Sequence, residues 1–168
     1  AEKQYILSLI EKYKIGGICF FQGDPQRQVR LTNVFQEASE IPLFIAIDGE
    51  WGLGMRHSEK TISFPKNLIL GAIHDESLIY KLGKEIGSQC KTLGINFNFS
   101  PVADININPK NPIIFDRSFG ESKENVTSKS YLMFKGLEDA GVLSCAKHFP
   151  GHGDTDKDSH YTLPVLDH

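Results

Sequence analysis

Apolar positions recur along the chain in two alternating rhythms. In residues 2–14, Ile6, Leu9, Ile10 and Tyr13 fall on one helical face, and the apolar run over 15–21 that follows is short and rich in β-formers. Asp24-Pro25 has the form of a helix start, with Leu31, Val34, Phe35 and Ala38 as the buried stripe behind it. Residues 42–47 read as a second buried strand that ends at Asp48. A polar, glycine-bearing loop separates it from a helix over 75–93, whose stripe is Ile79, Leu82, Ile86 and Leu93. From 95 to 103 the positions alternate. Phe97 and Phe99 face one way, Asn96, Asn98 and Ser100 the other, and Asp104 closes the run. A helix over 123–140 uses Tyr131, Phe134 and Leu137, and a strand over 142–146 follows.

Strand, helix, strand without a hairpin signal predicts parallel strands joined by crossover helices, an α/β fold. Three successive strands end in loops carrying Asp48, Asp104 and Lys147-His148. Reactive groups at every strand's C-terminal end favour a (β/α)8 TIM barrel over a doubly wound sheet, which gathers them at one crevice. No GxGxxG follows the first strand, so a dinucleotide site is a poor reading. About four strands are visible, whereas a complete barrel has eight and usually about 250 residues. The expectation is therefore a partial barrel, with residues 1–168 forming part of one domain that lacks its first strand and its last third. A complete small fold is the alternative.

Composition changes this picture little. A net charge of −3 with scattered Lys and Arg argues against a nucleic-acid surface. No apolar run reaches the ~20 residues that span a bilayer. The chain opens without a basic-then-apolar leader pattern, so the sequence does not choose a compartment. Cys19, Cys90 and Cys145 lack CxxC spacing and are read as buried small hydrophobes.

The chemistry is concentrated at 147–160, where three histidines, three aspartates and two lysines are threaded on glycines and a proline. A calcium loop fails, because Ser159 and Val165 stand where Gly and Glu are needed. Zinc has donors in His148, His152, Asp154, Asp158 and His160, but no HExxH or helically spaced pair. Acid–base work suits the segment better. Asp158-Ser159-His160 sets a carboxylate two residues from an imidazole, fixing its tautomer and leaving the other nitrogen to exchange protons near neutral pH. His152, between two glycines, is read as shaping the loop. Lys147 and His148 leave the strand end as binding groups, while His57 and His74 are read as surface residues. Arg117 is either a surface ion pair or a group reaching a substrate hydroxyl or carboxylate.

Four blocks in order resemble a known family. They are Ile47-Asp48-Gly49-Glu50-Trp51-Gly52 with Arg56, then Ser100-Pro101-Val102-Ala103-Asp104, then Asp116-Arg117-Ser118-Phe119-Gly120, and the 147–160 motif. Together they look like the family 3 glycoside hydrolases, in the bacterial β-N-acetylglucosaminidase branch. The resemblance implies a barrel of which the chain holds roughly strands two to five. It implies His160 as general acid/base with Asp158 as its partner. Asp48, Arg56, Arg117, Lys147 and His148 fall at the family's sugar-binding positions, for a terminal N-acetylglucosamine of murein-derived or chitin-like oligosaccharides. No metal or other cofactor is implied. The nucleophile of such enzymes is an Asp after a later strand, and no matching segment stands in these 168 residues, so the chain alone is expected to be inactive. Where the family usually reads Asp-Gln-Glu-Gly-Gly, this chain has Asp48-Gly49-Glu50-Trp51-Gly52, and Trp51 is suited to stack on a sugar face. A metal-dependent hydrolase and a non-catalytic carbohydrate-binding remnant are the competing readings.

Overall fold

The computed structural model describes residues 2–57 and 59–165. Nine regular elements alternate along it: α1 (Glu2–Tyr13), β1 (Gly17–Phe20), α2 (Pro25–Ala38), β2 (Phe44–Ile47), α3 (Asn67–Gly71), α4 (Ser77–Thr92), β3 (Phe97–Asn98), α5 (Lys123–Asp139) and β4 (Leu143–Ser144). The four strands form one sheet in the order β1-β2-β3-β4, every neighbouring pair parallel. That is the succession of (β/α) units expected of part of a TIM barrel.

Local chemistry sets the ends of the elements. Asp24 caps α2 by accepting the Arg27 N–H at 2.9 Å, with Pro25 in the first turn, and Ser122 caps α5 through the Asn125 N–H. The two longest helices both stop on glycine in left-handed backbone, Gly94 at φ 73° after α4 and Gly141 at φ 81° after α5. A side chain is strained there, so glycine lets the chain turn directly into β3 and β4. The strands are shorter than their apolar runs. Regular pairing of the 95–103 run is confined to Phe97–Asn98, with one further bridge from Val102 to Lys147. The short helix α3 lies inside what reads from the sequence as loop; five residues carry too little periodicity to announce it.

The two sheet faces differ sharply. Ile45, Ile47, Ile79, Ile86, Met133 and Leu137 pack the helical side and are fully buried. On the other face, register aligns Cys19, Ala46, Phe97 and Leu143 across the four strands. Phe97 touches Phe44 at 6.0 Å and Phe99 at 5.0 Å between ring centroids, and Phe44, Phe99 and Leu143 remain exposed. Cys19 is exposed on this face, correcting its reading as a core residue. Cys145 is half-buried, and only Cys90 is sealed in the core, where desolvation pushes its thiol up to about 12. The alternating asparagines point under the helices yet stay paired. Asn96 accepts from the Ile45 N–H at 2.8 Å, and Asn98 bonds both the N–H and the carbonyl of Gly49. Among the described residues no helix is long and apolar enough to cross a membrane.

Helices α4 and α5 approach through glycines. A Cβ on Gly136 would run into the Tyr80 carbonyl and lie 2.6 Å from the Lys84 nitrogen. Replacing a helical glycine by alanine ordinarily gains about 1 kcal/mol, while overpacking a tight contact costs about 1–3 kcal/mol. Gly136→Ala is thus expected to lower the free energy of urea unfolding by up to about 2 kcal/mol. A gain in stability would show that the helices separate freely.

Candidate active site

The polar residues that follow β2, β3 and β4 meet at one end of the sheet. Asp48, directly after Ile47, accepts Arg56 Nη2 at 2.6 Å and Lys147 Nζ at 2.5 Å on its two carboxylate oxygens. The Arg56 Nε–H also binds the Asp48 carbonyl at 2.8 Å, and its guanidinium lies 4.9 Å over the Phe21 ring. Lys147, two strands away, reaches Glu50 as well, at 2.6 Å. Glu50 receives Arg117 through a forked pair, Nε at 3.0 Å and Nη2 at 2.6 Å. Arg117 is carried by the loop after β3 and held from the start of α3: Asn67 donates to its carbonyl at 2.8 Å, and the neighbouring Asp116 pairs with Lys66. His148 stands beside this group, its Nε2 3.3 Å from Arg117 Nη2 and its Nδ1 2.6 Å from Asp104. The Lys147–His148 peptide is cis.

All five predicted binding residues are therefore in one cluster, together with two carboxylates that sequence reasoning did not assign to the site. Glu50 is only 1% exposed, and Asp104 is buried as well. Each lay within a recognisable block, and Asp104 ends its strand as Asp48 does; that position was the available signal. Arg117 pairs with a buried carboxylate, which removes the surface ion-pair reading. Three cations, Arg56, Arg117 and Lys147, face three carboxylates, Asp48, Glu50 and Asp104. Burial alone would raise the Glu50 carboxyl, but the Arg117 hydrogen bond and the Lys147 charge outweigh it and hold the group below its ordinary value of 4.5.

The predicted dyad is assembled on the loop beyond β4. The Asp158 carboxylate is bonded to His160 Nδ1 at 2.6 Å and accepts the His160 backbone N–H at 2.8 Å. The backbone N–H and then the ring bond keep Asp158 below the usual aspartate range, despite partial desolvation. The His160 side chain is 75% exposed. His152 supports the loop from inside: its Nδ1 is bonded to Thr155 Oγ1, and its Nε2 lies 3.3 Å from Ser159 Oγ. Asn111 ties the same turn by donating to the carbonyls of His152 and Thr155.

One sequence reading changes here. His57 is buried rather than on the surface, because its ring is bonded to the Gly23 carbonyl and to the Gln28 side chain, each at 2.7 Å. Trp51 has Lys66 Nζ 5.3 Å over its ring, so one of its faces already carries a cation. Among the described residues, no three His, Cys, Asp or Glu side chains converge as a metal-binding set. His74 is exposed, as read.

Parallel strands that deliver polar groups into one cluster at their C-terminal ends define a site of the (β/α)-barrel class. The family model "Glycosyl hydrolase family 3 N terminal domain" matches residues 1–168, and the chain belongs to this family. It is 45% identical to beta-hexosaminidase A of Pseudoalteromonas piscicida over 95% of its length, covering 29% of that protein. It is 33% identical to beta-hexosaminidase LpqI of Mycobacterium bovis, covering 43% of it. Among solved structures it superposes on a family 3 beta-N-acetylglucosaminidase from a Paenibacillus species with TM-score 0.91 and 39% identity, over 99% of this chain and 32% of that one. NagZ from Neisseria gonorrhoeae, solved with N-trifluoroacetyl-D-glucosamine, gives 0.83 and 33%, over 97% and 50%. The chain thus spans less than half the length of the curated relatives named here.

Glu50 neutralises two buried cations, so Glu50→Gln is expected to cost about 3–5 kcal/mol in denaturant unfolding. The exposed Lys14–Glu40 pair should matter far less. The Glu50 carboxyl is held low in the folded chain. Its contribution is fully present above pH 4.5 and fades as pH falls through the folded value. Wild-type stability should therefore drop on acidification below 4.5 more steeply than that of the Gln variant. Parallel pH curves would remove Glu50 from this role.

Proposed function

We propose that the chain is the sugar-binding and acid/base portion of a retaining β-N-acetylglucosaminidase. Its substrate would be terminal β-linked N-acetylglucosamine of murein-derived or chitin-like oligosaccharides. One observation carries the reading: Asp48, Arg56, Arg117, Lys147 and His148 converge at the strand ends, with the Asp158–His160 pair formed on the loop that leaves the same cluster. The relatives' names, beta-hexosaminidase and beta-N-acetylglucosaminidase, support the same class of substrate.

In this reading the cluster binds the terminal sugar. A saturated pyranose offers a ring of hydroxyls, each both donor and acceptor, and alternating carboxylates and cations supply both complements. Asp48 accepts from hydroxyls, and Arg56, Arg117 and Lys147 donate to them. Because the ion pairs fix each group before substrate arrives, little ordering is needed on binding. His160 serves as the proton carrier. With Nδ1–H held by Asp158, Nε2 protonates the departing glycosidic oxygen and afterwards takes a proton from the incoming water. Retention also needs a nucleophilic carboxylate on the opposite face of the sugar, which we place on the remainder of the domain. Residues 1–168 then form one part of a single catalytic barrel, and their partners are the oligosaccharide and that remainder.

The test uses a polypeptide in which this segment is joined to a nucleophile-bearing strand. His160→Ala should cut hydrolysis of substrates with poor leaving groups by about 10²–10⁴, the usual general-acid contribution. Activated aryl glycosides should be spared far more, since their leaving oxygen departs without a proton. Equal losses for both substrate types would count against His160 as the acid. The 168-residue chain alone should release no chromogenic aglycone.

A further inference from the structure

Asp104 is the one carboxylate of the cluster that binds no cationic side chain. It is buried, and its two oxygens take three hydrogens instead. Oδ2 accepts the His148 backbone N–H at 3.1 Å and is paired with His148 Nδ1 at 2.6 Å, while Oδ1 accepts the His152 backbone N–H at 2.8 Å. On the far side of the His148 ring, Nε2 faces Arg117 Nη2 at 3.3 Å. The guanidinium never gives up its protons, so at that contact Arg117 donates and Nε2 accepts. Two donors would otherwise meet. The proton of His148 then sits on Nδ1, aimed at Asp104, and the ring is neutral.

We infer that Asp104 is a positioning residue that fixes His148 as the neutral Nδ1–H tautomer, so that His148 meets the sugar as a hydrogen-bond acceptor, and that the same carboxylate roots the acid/base loop. In a cradle where Arg56, Arg117 and Lys147 can only donate, an accepting imidazole adds a direction the cations lack. A sugar hydroxyl entering between the two would replace their direct contact, giving its hydrogen to Nε2 and receiving one from Arg117. The rooting follows from the two backbone bonds. The amides of His148 and His152 are pinned to one rigid oxygen pair at the end of the β3 run, and His152 in turn lies against Ser159, between Asp158 and His160. One side chain thereby sets the register between the binding residues and the start of the segment that carries the dyad.

Asparagine tests this by shape. It has one carboxamide oxygen where three donors need two, so in Asp104→Asn the amide nitrogen must face either the His152 N–H or the His148 pair. Facing the ring, it donates to Nδ1 and drives the proton to Nε2, against Arg117. The binding part of the inference rests on the proposed function; the tautomer part does not, and the experiment separates them. On ¹⁵N-labelled wild-type chain at about pH 8, where an unperturbed imidazole is neutral, two-bond ¹H–¹⁵N spectra should show His148 protonated at Nδ1 and bare at Nε2. The signal is assigned by its loss in His148→Gln. In Asp104→Asn either the proton should move to Nε2, where the amide nitrogen faces the ring, or the tautomer should stay and the His152 N–H, left without its acceptor, should exchange faster with solvent. An Nε2–H ring or an imidazolium in the wild type would overturn the inference, as would a variant in which neither the tautomer nor the His152 amide exchange changes. Should Asp104→Asn not fold, the wild-type spectrum still decides. Titration with N-acetylglucosamine followed by the same spectra should show affinity about tenfold weaker where the proton has moved to Nε2, the size of one lost hydrogen bond. Equal affinities with the proton on Nε2 would overturn the accepting role. Absence of binding to wild type would count against the proposed function while the tautomer stands on its own spectrum.

Discussion

The position of one ammonium governs the site. Lys147 leaves the chain after β4, yet its Nζ lies between Asp48 and Glu50 on the loop after β2, with β3 intervening. Removing such charges from water is costly, several kcal/mol per ion even after relaxation, and only close multiple pairing offsets it. The cluster meets that condition: each cation touches at least one carboxylate, and Glu50, almost wholly enclosed, is shared by two cations. An array of this kind is poor at raising stability in general. It is effective at fixing where charges stand, because moving any one member strands another in a dry environment. The sugar cradle proposed for it requires that property, since hydroxyl recognition depends on the directions of donors and acceptors more than on their number.

The rest of the fold exists at this end of the sheet to bring three strand exits to one level. Parallel strands do this by their nature. Crossover helices return the chain to the same starting edge each time, so successive C-terminal ends collect on one side. The close glycine contact of α4 with α5 keeps two crossovers tight against the sheet, and left-handed Gly94 and Gly141 launch β3 and β4 directly from them. The opposite face carries Phe44, Phe97, Phe99 and Leu143 toward solvent within the described residues. Parallel sheets are ordinarily covered on both faces. In a (β/α) barrel this face is the inner lining, covered by the barrel's other strands.

The helices, the four strands and the parallel order were legible because each depends on local rhythm: 3.6-residue stripes in α1, α2, α4 and α5, and short apolar runs between them. The cluster of Asp48, Arg56, Arg117, Lys147 and His148 and the Asp158–His160 pair, to which sugar binding and proton transfer are proposed, were legible through their motifs. What escaped depended on distance in space. Glu50 gives no periodic or spacing signal of its own; its importance comes from Lys147 and Arg117, 97 and 67 residues further on. His57 looked like a surface histidine because its partners, Gly23 and Gln28, stand on another loop and helix. Cys19 looked like core because a strand residue's face is settled by sheet closure and not by its neighbours in sequence. Short α3 escaped for want of length.

The two halves of the site are built by opposite physical means. The proposed cradle is half-buried around a buried Glu50, ion-paired and carried on strand ends, so its geometry is set before any ligand arrives. The proposed dyad sits on an exposed segment, where the His160 ring and backbone N–H both bond Asp158, two residues away. A proton carrier must exchange with solvent between turnovers, and a ring buried like Glu50 could not. A cradle left as open as His160 would have its ion pairs screened by water and would lose their directionality. Separation of the two is therefore a chemical requirement, and some element must still keep them in register. The chain meets that need with neutral hydrogen bonds around His152, Thr155, Asn111 and Ser159 and with the Asp104 carboxylate at their root. These contacts hold the loop's base while leaving its tip in water.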